Sequence, residues 1–241
     1  MKKNDIKTLL KTNIKEEIFE KEIVFSINNY KDIIPKITVK GYGVYDVPNP
    51  DKNNNRYYLD LDIVRPEIGN EEKVLTTLMM NPSNTFPISD TRKKCSLDST
   101  VQNVVKIAYI CGFSRVIVLN TLPIINSKPD GAINNLQQKK NTYNKNFVQA
   151  FLSQYSGAFL SAWGGNKNIN KYNEFIKIIN ENSKLENQVY VYDTNSDGHP
   201  THPSWQNHKQ LIPFFSQFKQ DKNFAKLKPV KLNNDGTVKY L

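Results

Sequence analysis

Val74-Leu75-Thr76-Thr77-Leu78-Met79-Met80-Asn81-Pro82-Ser83 is the stretch on which the reading of the fold turns. From Val74 to Met80 it is a nearly continuous apolar run, the pattern of a strand buried on both faces. It ends abruptly at Asn81-Pro82-Ser83, a turn signal. A helix follows over roughly Thr100 to Cys111, with Val101, Val104, Val105 and Ala108 on one face, and Gly112 stops it. Arg115 to Leu119 is the next buried strand, and it ends at Asn120. A loop with Pro123, Pro129 and Gly131 leads to a helix near Lys139–Tyr155. Gly157 to Ala162 is a third strand, ending at Trp163-Gly164-Gly165. A helix over roughly Asn170 to Asn180 precedes a fourth strand, Gln188 to Tyr192. The turn Asp197-Gly198-His199-Pro200-Thr201-His202-Pro203-Ser204 comes next. Alternating strands and helices predict a parallel sheet with helices on both faces. The expected class is α/β, a three-layer α/β/α arrangement with a mostly parallel central sheet.

On the N-terminal side, Arg56 to Val64 reads as a half-exposed strand, with Tyr58, Asp60, Asp62 and Val64 alternating with Leu59, Leu61 and Ile63. Gly41 to Val47 reads as another, joined to it by the polar loop 47–55. Residues 1 to about 35 are charged, with Ile6, Leu9, Leu10, Asn13 and Ile14 at near-helical spacing. The tail after Lys219 is lysine-rich and is expected to be peripheral. The expected divisions are an N-terminal extension of helix and strand (1–55), an α/β domain (56–218) and a C-terminal tail (219–241).

A length of 241 residues suits one α/β domain with additions, and 38% hydrophobic residues suffice for a core. With 33 basic against 23 acidic residues the net charge is +10. That balance favours an anionic partner such as nucleic acid. The same abundance of Lys, Asn and Ile fits an ordinary soluble protein from an AT-rich genome, so charge alone does not choose. Two cysteines, Cys95 and Cys111, exclude a four-thiolate cluster and a disulfide framework. No stretch approaches 18 consecutive apolar residues, which argues against a membrane-spanning helix. The N-terminus has no leader pattern, and a cytoplasmic location is expected.

Polar residues gather where the predicted strands end: Asn81, Asn120, Trp163-Gly164 and the His199–His202 turn. In open α/β sheets, ligands bind outside the carboxyl ends of the strands. Four ends pointing one way make one crevice. Each element also has a plainer use. Asn-Pro-Ser caps helices, Asn satisfies loop backbone, and Trp is more often a core residue than a ligand contact. His199, His202 and His208 are the three histidines of the chain. No Cys or acidic cluster accompanies them, so zinc is a minor alternative. No phosphate-binding loop ending in Lys-Ser/Thr is present, and no cofactor is expected.

In this order, the segments resemble the uracil-DNA glycosylase superfamily. Met79-Met80-Asn81-Pro82-Ser83 is similar to its first motif, a strand end bearing Asp-Pro or Asn-Pro. Val116 to Leu122 resembles the strand whose terminal Asn reads a flipped base. Phe159 to Gly164 resembles its strand ending in Trp-Gly, and His202-Pro203-Ser204 its His-Pro-Ser turn. The chain more closely resembles a bacterial and phage family of unknown function, number 1643 of its kind, over about residues 56 to 215. That family carries Asn-Pro-Ser, a strand ending in Asn, Ala-Trp-Gly and Gly-His-Pro-x-His-Pro. Here these are Asn81–Ser83, Asn120, Ala162–Gly164 and Gly198–Pro203.

The superfamily resemblance implies a DNA glycosylase that extracts a base from the stack and hydrolyses its N-glycosidic bond. Asn81 would orient water, and His202 would stabilise charge on the departing base. Asn120 would read the base edge with its donor and acceptor. Phe86 would stack on the base, and Ser83 stands where uracil-specific members carry a bulky Tyr. DNA would meet Pro82, Gly164, Gly165, Pro203, Ser204 and Lys167, with Lys171 adding charge and Trp205 placed to wedge into the vacated stack. An amide is not a useful general base, so Asn81 implies slow chemistry. The rival readings are a catalytically silent nucleotide- or DNA-binding module of the same fold, a nucleoside hydrolase and a metal-dependent nuclease.

Overall fold

A computed structural model describes residues 14–23, 37–46, 55–64, 72–80, 82, 97–125, 135–164, 172–204 and 226–241. The strands are β1 (Ile14–Ile23), β2 (Ile37–Asp46), β3 (Arg56–Ile63), β4 (Val74–Met79), β5 (Arg115–Asn120), β6 (Ala158–Ser161), β7 (Val189–Val191), β8 (Lys228–Leu232) and β9 (Val238–Tyr240). Three α-helices lie among them: α1 (Ser99–Ile110), α2 (Asn135–Gln154) and α3 (Asn173–Glu181). Within the described residues the strands form one mixed sheet in the order β1-β2-β3-β5-β4-β6-β7-β8-β9.

The sheet is mostly antiparallel. Parallel pairing joins β5 to β4, β4 to β6 and β6 to β7. The other five neighbouring pairs are antiparallel. The expected mostly parallel sheet is therefore corrected. Alternation of strand and helix dictates parallel pairing only between strands joined by helical crossovers. It is silent about the strands laid on either side, and here those outnumber the crossover pairs.

Two hydrophobic clusters line the two faces of the sheet. Along β5, Val116 and Val118 belong to one cluster, and Ile117 and Leu119 to the other. Successive side chains of a strand point to opposite faces, so the clusters are on opposite sides. The first contains Val101, Val104, Val105 and Ala108 of α1. The second contains Phe147 and Phe151 of α2 with Phe175 and Ile179 of α3. Helix α1 begins at the carboxyl end of the strands, where the Asp98 side chain accepts from the Val101 amide at 2.9 Å. This N-cap satisfies a donor that has no partner within the helix.

Strand β3 is more buried than its alternation implies, because α2 covers the face expected to meet water. Tyr58 and Asp60 are buried, whereas Asp62 is exposed. The Tyr58 ring meets Phe147 and Phe151 at 6.2 and 6.4 Å between centroids. Asp60 accepts two 2.7 Å bonds from Arg115, from Nε and from one terminal nitrogen, and Tyr58 donates to it at 3.0 Å. Arg115 also bonds Glu72. A two-pronged guanidinium–carboxylate pair tolerates burial that a single carboxylate would not.

The two ends of the chain differ from their expected forms. Ile14, read as part of a helical segment, opens β1, which pairs antiparallel with β2 from Ile14↔Asp46 to Ile23↔Ile37. The tail is no appendage: β8 pairs with β7, and β9 with β8. Val230 and Leu232 are buried there. In the sequence of β8, lysines and Pro229 mask an alternation of only two apolar residues.

Candidate functional site at the carboxyl ends of the central strands

Strand β4 is the switch point of the sheet. It lies between β5 and β6. The chain leaves β4 toward α1 on one face, and leaves β5 and β6 toward α2 and α3 on the other. Connections departing to opposite faces open a crevice at the carboxyl ends of such strands.

The register brings the polar strand ends together. Met79 is paired with Asn120, and Leu78 with Ser161. Beyond the strands, the Thr121 amide donates to Met79 O and the Leu122 amide to Met80 O, both at 2.8 Å. The Thr121 hydroxyl adds a bond to Met80 O. The chain leaving β4 is thus tied to the chain leaving Asn120. Pro82 is buried next to this junction in sequence. Asn81, Ser83 and Phe86 lie outside the described residues, as do Gly165, Lys167, Lys171 and Trp205.

Asn120 is fully buried, and neither its amide nitrogen nor its amide oxygen has a hydrogen-bond partner among the described residues. The alternation of β5 puts its side chain on the face of Val116 and Val118, the face that carries α1. Its backbone, by contrast, is held firmly. The Asn144 amide nitrogen on α2 donates to Asn120 O at 2.8 Å and to Thr121 O at 3.1 Å. Asn144 was not singled out in the sequence; nothing local distinguishes an Asn on a polar helix from a solvent-facing one.

The turn that carries His202 folds back on the end of β6. Gly164 donates its amide to Pro200 O at 3.1 Å. Its φ is +91°, and a Cβ there would stand 3.3 Å from His202 Cβ. Glycine therefore serves both the left-handed backbone and the close approach of the histidine. On the other side, Asn103 of α1 donates to Pro203 O at 2.9 Å. Ser204 donates its amide to His202 O at 2.8 Å. The Gly164 and Ser204 amides are thus engaged within the protein.

His199 and His202 have different surroundings. His199 is buried, with Nε2 at 3.2 Å from Asp235 O, and the Val238 amide donates to Gly198 O at 3.1 Å. The β8–β9 hairpin thereby braces the histidine turn. His202 is partly buried, and loss of hydration pushes its imidazole down to about 4, with the Asp98 charge opposing the shift. At neutral pH it is uncharged and offers one N–H donor and one acceptor. Among the described residues no three His, Cys, Asp or Glu side chains are grouped so as to hold a metal.

This lowered pKa predicts a stability signature. Above pH 6.5 both folded and unfolded chains carry a neutral His202. As pH falls from 6.5 toward 4, the unfolded chain takes up a proton that the folded chain refuses. Stability from this group is therefore lost across that window and levels off below it, by at most about 3 kcal/mol. In denaturant titrations at pH 7.5, 5.5 and 4.5, His202→Gln should lose less stability on acidification than the unaltered chain. Parallel losses would mean that His202 is not held neutral by the fold.

Trp163 stands apart from the crevice. It is 1% exposed and packs on Tyr172 at 5.4 Å between centroids, within the cluster beneath α2 and α3. Its plainer use as a core residue is the observed one. A cavity of about 430 Å³, lined by Asn182, Ser183, Val189 and Lys231 among others, lies at the amino end of β7 and contains none of the sequence-predicted residues.

The family model described as "Protein of unknown function (DUF1643)" matches residues 56–204. The chain belongs to the DUF1643 family. The matched region begins at β3 and ends with the histidine turn, so it contains the parallel strands and every strand end described above. Strands β1 and β2 precede the DUF1643 region, and the β8–β9 hairpin that braces its histidine turn follows it. No curated protein and no solved structure matches the chain. Among the described residues no helix is long and apolar enough to cross a membrane.

Proposed function

We propose that this DUF1643 protein is a DNA N-glycosylase of the uracil-DNA glycosylase type, acting on a flipped base that is modified or damaged. The observation that carries the reading is the Asn120 amide. It is fully buried at the switch-point end of the sheet, with both polar atoms unpartnered among the described residues. Leaving a buried donor and acceptor unsatisfied costs about 1–3 kcal/mol each, which native structures rarely tolerate without a purpose. The edge of a base supplies one acceptor and one donor to an amide, and so satisfies both atoms at once.

A neutral His202 suits the departing base. A neutral imidazole donates a hydrogen bond to the developing negative charge without holding a positive charge in the resting site. Helices on both faces of the sheet are compatible with the three-layer arrangement of that superfamily. The net charge of +10 favours a polyanion as partner. Asn81 supplies no strong base, which favours substrates whose base leaves readily. Ser83, small where a bulky gatekeeper excludes 5-substituents in uracil-specific enzymes, points to a wide pocket.

The test is a base-release screen by mass spectrometry on DNA carrying many natural and hypermodified bases. Release of a modified base should exceed release of uracil, and binding should weaken steeply between about 50 and 200 mM salt. Free nucleosides processed as fast as DNA, without salt dependence, would identify a nucleoside hydrolase instead. No release from any substrate, with salt-dependent DNA binding retained, would identify the silent binding module.

A further inference from the structure

The glycosylase reading leaves the site without a carboxylate at Asn81, and Asp98 stands at the same end of the sheet. Asp98 caps α1 at the carboxyl end of the sheet, through the 2.9 Å bond to the Val101 amide. Leu97, just before it, is buried and anchors the chain. Five residues along, Asn103 bonds Pro203 O at 2.9 Å. At 1.5 Å rise per residue, that bond lies only about 8 Å along the helix from Asp98. The first turns of α1 are therefore fastened to the histidine turn, on the sheet face that Asn120 shares. We propose that Asp98 is a positioning residue for His202, its carboxylate orienting the imidazole. The inference rests on the glycosylase reading for its catalytic consequence, though not for the pairing itself.

The electrostatics agree. Burial lowers the His202 pKa, and Asp98 is the charged group that acts against it. Helix α1 also carries the titratable side chains Lys106 and Tyr109, and the chain from the end of β7 through the turn carries Tyr192, Asp193, Asp197 and His199. Lys106 is itself buried, and burial lowers its pKa. Asp197 and His199 face each other, with Nδ1 at 3.3 Å from the carboxylate. Asp193 is 3.8 Å from Lys228 on β8.

Asp98→Asn separates charge from structure, because Asn caps a helix as well as Asp does. Thermal stability at pH 7 should stay within about 2 °C of the unaltered protein, since no cap bond is removed. The His202 imidazole, followed by nitrogen-resolved NMR from pH 7 to 3.5, should then protonate at least half a unit lower. Its ratio of Nδ1–H to Nε2–H tautomers at pH 7 should also shift, a reading that needs no acid exposure. Base release should fall about tenfold in kcat with KM unchanged.

Unchanged titration and tautomer ratio in Asp98→Asn would overturn the inference, whatever happens to activity. An altered His202 titration with no base release from the unaltered protein would leave the pairing standing and sink the glycosylase reading. Base release with the same kcat in both proteins would show that the pairing has no catalytic consequence.

Discussion

His202→Ala is expected to lower base release by about 10²–10³-fold in kcat, the usual cost of removing one preorganised donor from a developing negative charge. KM should change little, because a neutral donor contributes mainly where charge appears. His202→Gln keeps an N–H donor near the same place and should recover part of the loss. Circular dichroism and DNA binding should remain intact in both variants, since backbone and Asn103 bonds to its neighbours Pro203 and Gly164 hold the turn. Full activity in His202→Ala would remove the histidine from the chemistry. Asn81→Asp belongs in the same series. A glycosylase limited by weak water activation should accelerate or change selectivity, and a binding module should show no gain.

The second large effect is on stability. Trp163→Ala should cost about 3–5 kcal/mol, through lost burial and the cavity left against Tyr172 and the helices. Near the upper end the variant will not accumulate as folded protein, so Trp163→Phe is the informative companion. It retains an aromatic ring and should cost about 1–2 kcal/mol. Measured by urea unfolding, the two should rank in that order, and base release per folded molecule should be preserved in Trp163→Phe. If Trp163→Phe kept its stability and lost base release, Trp163 would have to touch the substrate after all.

These expectations depend on how residues at the strand ends divide between site and core, and that division was only partly legible. Asn120 and Trp163 look alike in the sequence: each sits at the end of a short apolar strand. Their fates differ because strand alternation sends Asn120 to the face carrying α1, while Trp163 joins the cluster under α2 and α3. The two histidines of the Gly-His-Pro-x-His-Pro turn are likewise equivalent by type. His199 is consumed by the β8–β9 hairpin, whose Asp235 lies 36 residues away in a segment that composition marks as a tail.

The elements of the central region are set by local patterns. The strands ending at Met79 and Asn120, the helix of Ser99–Ile110, and the glycines Gly112 and Gly164 that follow α1 and β6 were legible because short apolar runs, 3.6-residue spacing and left-handed turns are local properties. The order of the parallel strands, the antiparallel strands added on both sides, and the burial of Asp60 under α2 were decided only by tertiary structure. So was the tie between α1 and the histidine turn, made by Asn103 to Pro203 O. The physical reason is the same in each case. A local pattern records which face of an element avoids water, but not which distant element covers it; that is set by pairing register and packing between segments far apart in the chain.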